Sequence, residues 1–311
     1  MKSNPGATVA RRAVVATAFV FLVSSCVFPQ PARAQSYSSG RPVWPAYEGW
    51  EKNEDGSFNL VFGYMNDNWV EELNVPVGPD NNLQPGIPDQ GQPTHFLPRR
   101  NRFIFRVRVP KDFGKKEVVW TLTSHGVPQK AFGSLRPDLV IENVDIMSET
   151  GALGAGSSSP EVRADQPPVV SIEAGKTMDA KVGQPVTLVA TVTDDGIPKV
   201  RRFPPDRVRA VSLLPPARPT VAKNLGLHLS WFVYRGSGHV SFKQPQIKIW
   251  EDTRAGANSP WAPVWISPPV PADGKYVTEV TFDEPGTYVL CARADDGALT
   301  TDQMLIIHVT R

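Results

Sequence analysis

The stretch EPGTYVLCARADDG, residues 284–297, decides the fold. A Pro-Gly turn opens it and an Asp-Asp-Gly turn closes it. Between them Tyr288, Leu290 and Ala292 fall on one side and Val289, Cys291 and Arg293 on the other. That two-residue period marks a β-strand, whose successive side chains point to opposite faces. Cys291 stands out because cysteines of exported proteins usually pair. The chain has 2 cysteines, and the other, Cys26, lies in an N-terminal segment expected to be removed, so no intrachain disulfide is expected. A buried free cysteine behaves as a small apolar residue, and packing is the role read for Cys291. A catalytic thiol needs a neighbouring base, and the spacing of His228, His239 and His308 places none beside it.

Outward from this strand the same texture continues. Short segments rich in Val, Ile, Phe, Tyr and Thr alternate with turns rich in Pro, Gly, Asp and Asn, and amphipathic helical periodicity is scarce. The chain reads as all-β. SFNLVFGY, residues 57–64, puts Phe58, Leu60, Phe62 and Tyr64 on one face. RFIFRVRV, residues 102–109, puts Phe103, Phe105, Val107 and Val109 inward and its arginines outward. EVVWTLT (117–123) and DLVIEN (138–143) are expected as further strands. VPVGPDNNLQPGIPDQGQPTHFLPRR (75–100) holds too much proline for a central strand. At this length it is expected to be an ordered loop of the kind that carries function.

Residues 1–35, MKSNPGATVARRAVVATAFVFLVSSCVFPQPARAQ, carry Lys2, Arg11 and Arg12 ahead of an apolar run from Ala13 to Val23, then Ala32-Arg33-Ala34 before Gln35. This is the layout of a signal peptide, assigned to residues 1–34; the apolar run is short for a membrane span. Export to the periplasm or beyond is expected. The alternative is a lipid-anchored envelope protein, since Val23-Ser24-Ser25-Cys26 resembles the lipobox of bacterial lipoproteins, with Cys26 as the lipidated residue. The whole chain counts 33 Lys and Arg against 31 Asp and Glu, a formal +2. Four bases (Lys2, Arg11, Arg12, Arg33) and no acid leave with the signal peptide, so the mature chain stands at 29 against 31, or −2. That balance argues against nucleic acid as a partner and confines membrane contact to the N-terminal segment.

MSETGALGAGSSSPEVRADQPP, from Met147, has little to bury. A flexible Gly/Ser/Pro linker over 148–168 is therefore expected to join an N-terminal β-sandwich domain, 41–147, to a second domain, 169–311, each of ordinary size. In the second, PVTLVATVTDDGIPK (185–199), LHLSWFVYRGSGHVSF (227–242) and VTFDEPGTYVLCARADDGALTTDQMLIIHV (280–309) fall in an order that resembles bacterial immunoglobulin-like domains of the PKD type. In that family a strand runs into a DDG-like turn, a Trp-bearing strand follows, and a phenylalanine precedes a Pro-Gly-Thr-Tyr corner and a closing strand. The resemblance covers roughly residues 169–311. It departs where Trp231-Phe232-Val233-Tyr234-Arg235-Gly236 replace the WDFGDG-like run, and where PKVRRFPPDRVRAVSLLPPARPTVAKN is inserted ahead of that strand. It implies an antiparallel, immunoglobulin/PKD-like β-sandwich and a role in spacing, adhesion or contact. In an immunoglobulin corner the tyrosine precedes the disulfide cysteine by two residues, on the same face; Leu290 holds that slot here.

Few residues are placed for chemistry. The 5 histidines (His95, His125, His228, His239, His308) form no HExxH and no short-spaced metal pair, and neither GxxxxGK[ST] nor GxGxxG occurs. No catalytic residue and no cofactor is assigned. Arg235-Gly236-Ser237-Gly238-His239 lacks the GxSxG order and reads as a glycine turn. The two DDG turns make Asp194, Asp195, Asp295 and Asp296 calcium candidates, because loop carboxylates suit that ion, although Asp-Gly is first of all a turn signal. Trp44, Tyr47, Trp50 and Trp69 are the ligand-binding candidates, since exposed rings stack on sugars or partner proteins; the competing reading packs them over the sandwich edge. Arg99, Arg100, Arg102, Arg106 and Arg108 are expected as a solvated face paired with Glu71, Glu72 or Glu117. The expected function is a non-enzymatic binding or structural module of the bacterial envelope, in contact with a protein or a carbohydrate. The alternative is a secreted hydrolase with its site in the loop 74–100, which would set His95 beside an Asp or Glu in a deep pocket.

Overall fold

The computed structural model describes residues 37–150, 159–199, 226–248 and 265–311. Residues 1–34, the segment expected to be a signal peptide and carrying Cys26, and most of the insertion ahead of Trp231, lie outside them. In the first half, β1 (Val43–Lys52), β2 (Phe58–Asn66), β3 (Leu73–Asn74), β4 (Asn81–Gln84), β5 (His95–Phe96), β6 (Arg99–Val109), β7 (Val118–Ser124) and β8 (Val127–Gly133) follow one another. They build two three-stranded sheets, β1-β2-β6 and β4-β7-β8, with β3 and β5 paired as a ribbon. Leu60, Phe62 and Tyr64 of β2 meet Trp120 and Leu122 of β7 in one core, as the two-residue period requires. Phe62 stacks on Phe105 with ring centroids 5.3 Å apart, and Trp120 meets Phe105 edge-on at 4.9 Å, both favoured aromatic geometries.

Two local expectations are corrected. Alternation along 102–109 breaks because β6 sets residues 102–104 opposite Gly63 alone. Phe103, at φ 53°, sits in this bulge half-buried, and Ile104 takes the buried place. Gly63 permits the approach, since a Cβ there would stand 2.5 Å from the Asn101 carbonyl oxygen. DLVIEN is not a strand. It makes a 3-10 turn over Pro137–Leu139, one bridge between Val140 and Trp50, and the start of α1 (Asn143–Thr150). Pro137 opens the turn with its fixed φ.

The connector continues through α2 (Pro160–Arg163), whose first turn is capped by the Ser159 hydroxyl; residues 151–158 lie outside the description. Its described parts are docked. Met147 is fully buried against Ala298 and Leu299, and Thr150 Oγ1 donates to the Ala298 carbonyl at 3.1 Å.

The second half contains β9 (Val169–Ile172), β10 (Thr177–Lys181), β11 (Val186–Thr193), β12 (His228–Arg235), β13 (Val240–Phe242), β14 (Lys275–Phe282), β15 (Gly286–Asp295) and β16 (Thr300–Thr310). One sheet runs β13-β14-β11-β9, the other β10-β16-β15-β12. β10 lies parallel to β16; the other pairs are antiparallel. Lettered in chain order as A, A′, B, C, D, E, F and G, these are the DEBA and A′GFC sheets of an immunoglobulin sandwich. Trp231 of β12 lies in the core between them. The Tyr288 hydroxyl donates to the Glu284 carbonyl at 3.0 Å, the tyrosine corner of this fold. Leu290 faces the same core. The glycine turn after β12 has a steric reason: a Cβ on Gly236 or Gly238 would overlap Tyr288.

The sheet β10-β16-β15-β12 is covered on both sides. Tyr288, Leu290 and Ala292 fill their own sandwich, whereas Phe232, Tyr234 and Cys291 join the cluster that fills the first half. Residues 36–311 accordingly form one compact unit.

Candidate functional site

The Pro/Gly-rich loop between β3 and β6 is ordered by its contacts with β12. The Thr94 amide donates to the Tyr234 carbonyl at 3.1 Å, and the Tyr234 hydroxyl to the Gly91 carbonyl. Arg235 holds both oxygens of Asp89, at 2.8 and 2.9 Å, and also the Gln92 carbonyl. Hydrogen bonding to Arg235 keeps the Asp89 carboxyl below its ordinary range. Deeper in the junction, Lys248 Nζ donates to Asn101 Oδ1 at 2.7 Å, and Arg293 binds Asp302 bidentately at 2.6 Å. Burial pushes the Lys248 amine well down, and Arg293 pushes the same way. Burial works to raise Asp302, yet the Arg293 ion pair holds it low. Cys291 is fully buried and free, its thiol pushed well up by burial.

The aromatic candidates do not form one row. Trp44 is 40% exposed, with its Nε1 donating to Asp67 Oδ2 at 2.9 Å. Tyr47 packs on Phe62 at 5.3 Å and donates to the Ser134 carbonyl. Trp50 meets Phe58 edge-on and donates to the Arg136 carbonyl. Trp69 is buried, and the Arg99 guanidinium lies over its ring at 4.2 Å. The other arginines are paired, but with different acids from those expected: Arg100 with Glu48, Arg102 with Glu149, Arg106 with Glu51 and Arg108 with Asp55. Strand order explains the difference, because the β1-β2-β6 sheet carries Glu48 and Glu51 within reach of β6.

His95 does lie beside a carboxylate, as the hydrolase alternative requires. Both ring nitrogens are taken, Nε2 by Glu72 Oε2 and Nδ1 by Asn74 Oδ1, each at 2.8 Å. A cleft of about 380 Å³ lies in the second sandwich, lined by residues such as Trp231, Pro245, Gln246, Pro269 and Tyr276.

The two DDG turns, β11–β12 and β15–β16, share one end of that sandwich, and the connector meets them there. Asp194 Oδ2 accepts the Gly196 amide at 2.9 Å and Asp195 Oδ1 the Ile197 amide at 2.8 Å. Asp295 Oδ1 accepts Gly297, and Asp296 Oδ1 accepts Ala298 and Leu299. This is the turn chemistry of Asp. The Gln166 amide reaches Asp195 Oδ2 at 3.2 Å and brings in Asp165, which the sequence did not single out. Asp165 and Asp296 are each 1% exposed, and both oxygens of Asp165 and Oδ2 of Asp296 have no hydrogen-bond partner. Burial, then Asp195 and Asp194, pushes Asp165 up to about 7. Burial outweighs two backbone amides to push Asp296 up to about 8, and Asp165 adds to the rise. Asp165 was missed because a lone acid in a Pro-rich linker carries no pattern. The Arg235–Asp89 contact was missed because its members are 146 residues apart.

No protein-family model and no curated protein matches the chain. Among solved structures it is similar to the S-layer protein rSbsC(31-844), at 10% identity and TM-score 0.23, over 86% of this chain and 28% of that one. It is similar to the D00-D0 domain of intimin at 11% identity and TM-score 0.23, over 86% and 99% of the two chains. The I-band fragment I67-I69 of titin follows at 8% identity and TM-score 0.21, over 87% and 66%. The immunoglobulin assignment rests on the strand order above.

Proposed function

We propose that this chain is an exported, non-enzymatic module of the bacterial envelope that holds two β-sandwiches as one stiff body and presents them to a protein or carbohydrate. The observation that supports it most is the doubly covered sheet, with Phe232, Tyr234 and Cys291 inside the core of the first half. A junction of this kind resists hinge motion, because packed cores move in discrete steps rather than deform. The second sandwich is read as PKD-like on the motifs around Trp231 and Tyr288, an argument from fold and not from a site. His95 has Glu72 on one ring nitrogen and Asn74, not a nucleophile, on the other, which disfavours a hydrolase of the Ser-His or Cys-His kind in the loop 74–100.

Photo-crosslinking in cells from a residue replacing Trp44, the exposed aromatic, tests the contact role. Crosslinks to an envelope protein or glycan support it; turnover of ester, peptide or glycoside substrates by the purified chain overturns it. Mass spectrometry of the mature N-terminus tests export. Gln35 as first residue gives a secreted form and lipidated Cys26 an anchored one, whereas an unprocessed chain in the cytoplasm removes the envelope reading.

A further inference from the structure

We propose that the connector end of the immunoglobulin-like sandwich is a calcium site, with Asp165 and Asp296 as its core ligands and the carboxylates of Asp194, Asp195 and Asp295 around them. Three separate segments are fastened together here. The Gln166 amide ties the connector to the β11–β12 turn through Asp195. The Gly226 amide ties the start of β12 to the β15–β16 turn through the Asp296 carbonyl at 2.6 Å. Ile146, Met147 and Val162 pack on Ala298 and Leu299. The place is built, not a chance gathering of surface acids.

Its unexplained feature is the state of two carboxylates. Asp165 is 1% exposed and neither of its oxygens is hydrogen-bonded; Asp296, equally buried, leaves Oδ2 unbonded. A buried carboxylate without a partner is among the costliest groups a fold can keep, unless it takes up a proton or a cation. Among the described residues, the charged neighbours of this pair include Asp194 and Asp195 on one turn and Asp295 on the other. Arg163 and the Glu161–Lys199 ion pair, 2.8 Å apart, lie on the connector side. An all-oxygen set with no histidine or cysteine suits a hard cation. Flexible turns with many oxygens favour calcium, which takes six to eight ligands, over magnesium, which demands a near-ideal octahedron. As the side chains stand, no three His, Cys, Asp or Glu among the described residues form a group able to hold a metal ion. Binding therefore requires the turn aspartates, which here accept backbone amides of their own turns, to rotate toward Asp165. This site stands apart from the envelope reading and does not need it.

The test uses the mature full chain, stripped with EDTA and titrated with CaCl₂ by calorimetry, with thermal melts at pH 6 and pH 9. Expected are a dissociation constant on the order of 10⁻⁴ to 10⁻³ M, a rise in Tm with calcium, and a weaker response to MgCl₂. Asp165→Asn and Asp296→Asn should each weaken calcium at least about tenfold and, in EDTA at pH 9, melt higher than the parent, because the uncompensated charge is gone. Asp283→Asn, on the exposed turn between β14 and β15 at the opposite end of the sandwich, should bind as the parent does. No calcium response at either pH from a folded chain overturns the site, since protons alone would then relieve the carboxylates. Undiminished calcium binding in both Asn variants, or a lower EDTA melt for both, overturns it equally.

Discussion

Arg293 and Asp302 face each other across 2.6 Å between two apolar clusters, and deleting either charge strands the other. Asp302→Asn should cost about 3–5 kcal/mol in urea unfolding, whereas replacing both with aliphatic residues should cost much less. Because the folded state holds Asp302 low, this pair stabilises the chain above the ordinary carboxylate range. The contribution is lost as pH falls through the lowered value. The buried aspartates have the opposite sign. Asp165 and Asp296 are raised to about 7 and about 8, so without calcium their contribution is complete below about pH 4 and drains away as pH climbs through those values. A stability maximum on the acid side of neutrality, measured in EDTA, is the expected outcome. Cys291, buried and high in pKa, should ignore an aromatic disulfide reagent in native buffer and react fully in guanidinium.

Between residues and whole sandwiches the unit that matters is the loop 74–100. Its proline content marked it as irregular, and its length marked it as ordered, but its role depended on β12, more than 130 residues away. The same limit explains the other differences. Alternation was legible wherever a strand has one wet and one dry face, as in Leu60-Phe62-Tyr64. It failed at Phe103, where a bulge opposite Gly63 changes the count, and at DLVIEN, where Val140 pairs at a single bridge. The immunoglobulin order was readable because the Tyr288 corner closes on Glu284, only four residues away. Asp165, whose neighbours are all distant, was not. Arg235→Ala combined with Asp89→Ala should free the loop, so limited proteolysis is expected to cut within residues 85–95 while circular dichroism stays unchanged. The parent loop should survive the same protease.

At the scale of the molecule, the sheet β10-β16-β15-β12 belongs to two interiors at once. Calorimetry should therefore show a single transition with equal calorimetric and van't Hoff enthalpies. Phe232→Ala should cost about 3–5 kcal/mol and split that transition in two. A linker between independent sandwiches would give two transitions from the outset.

The doubly covered sheet also limits how the gene can be cut. An excised fragment starting near residue 169 would carry Phe232, Tyr234, Val289, Cys291 and Met304 on a wall now wetted by solvent, and it would heal that wall by clinging to copies of itself. Dimers or aggregates in sedimentation, absent from the parent, are what such a truncation should yield. Shuffled as a free-standing bead, this sandwich would have to relearn its outer face.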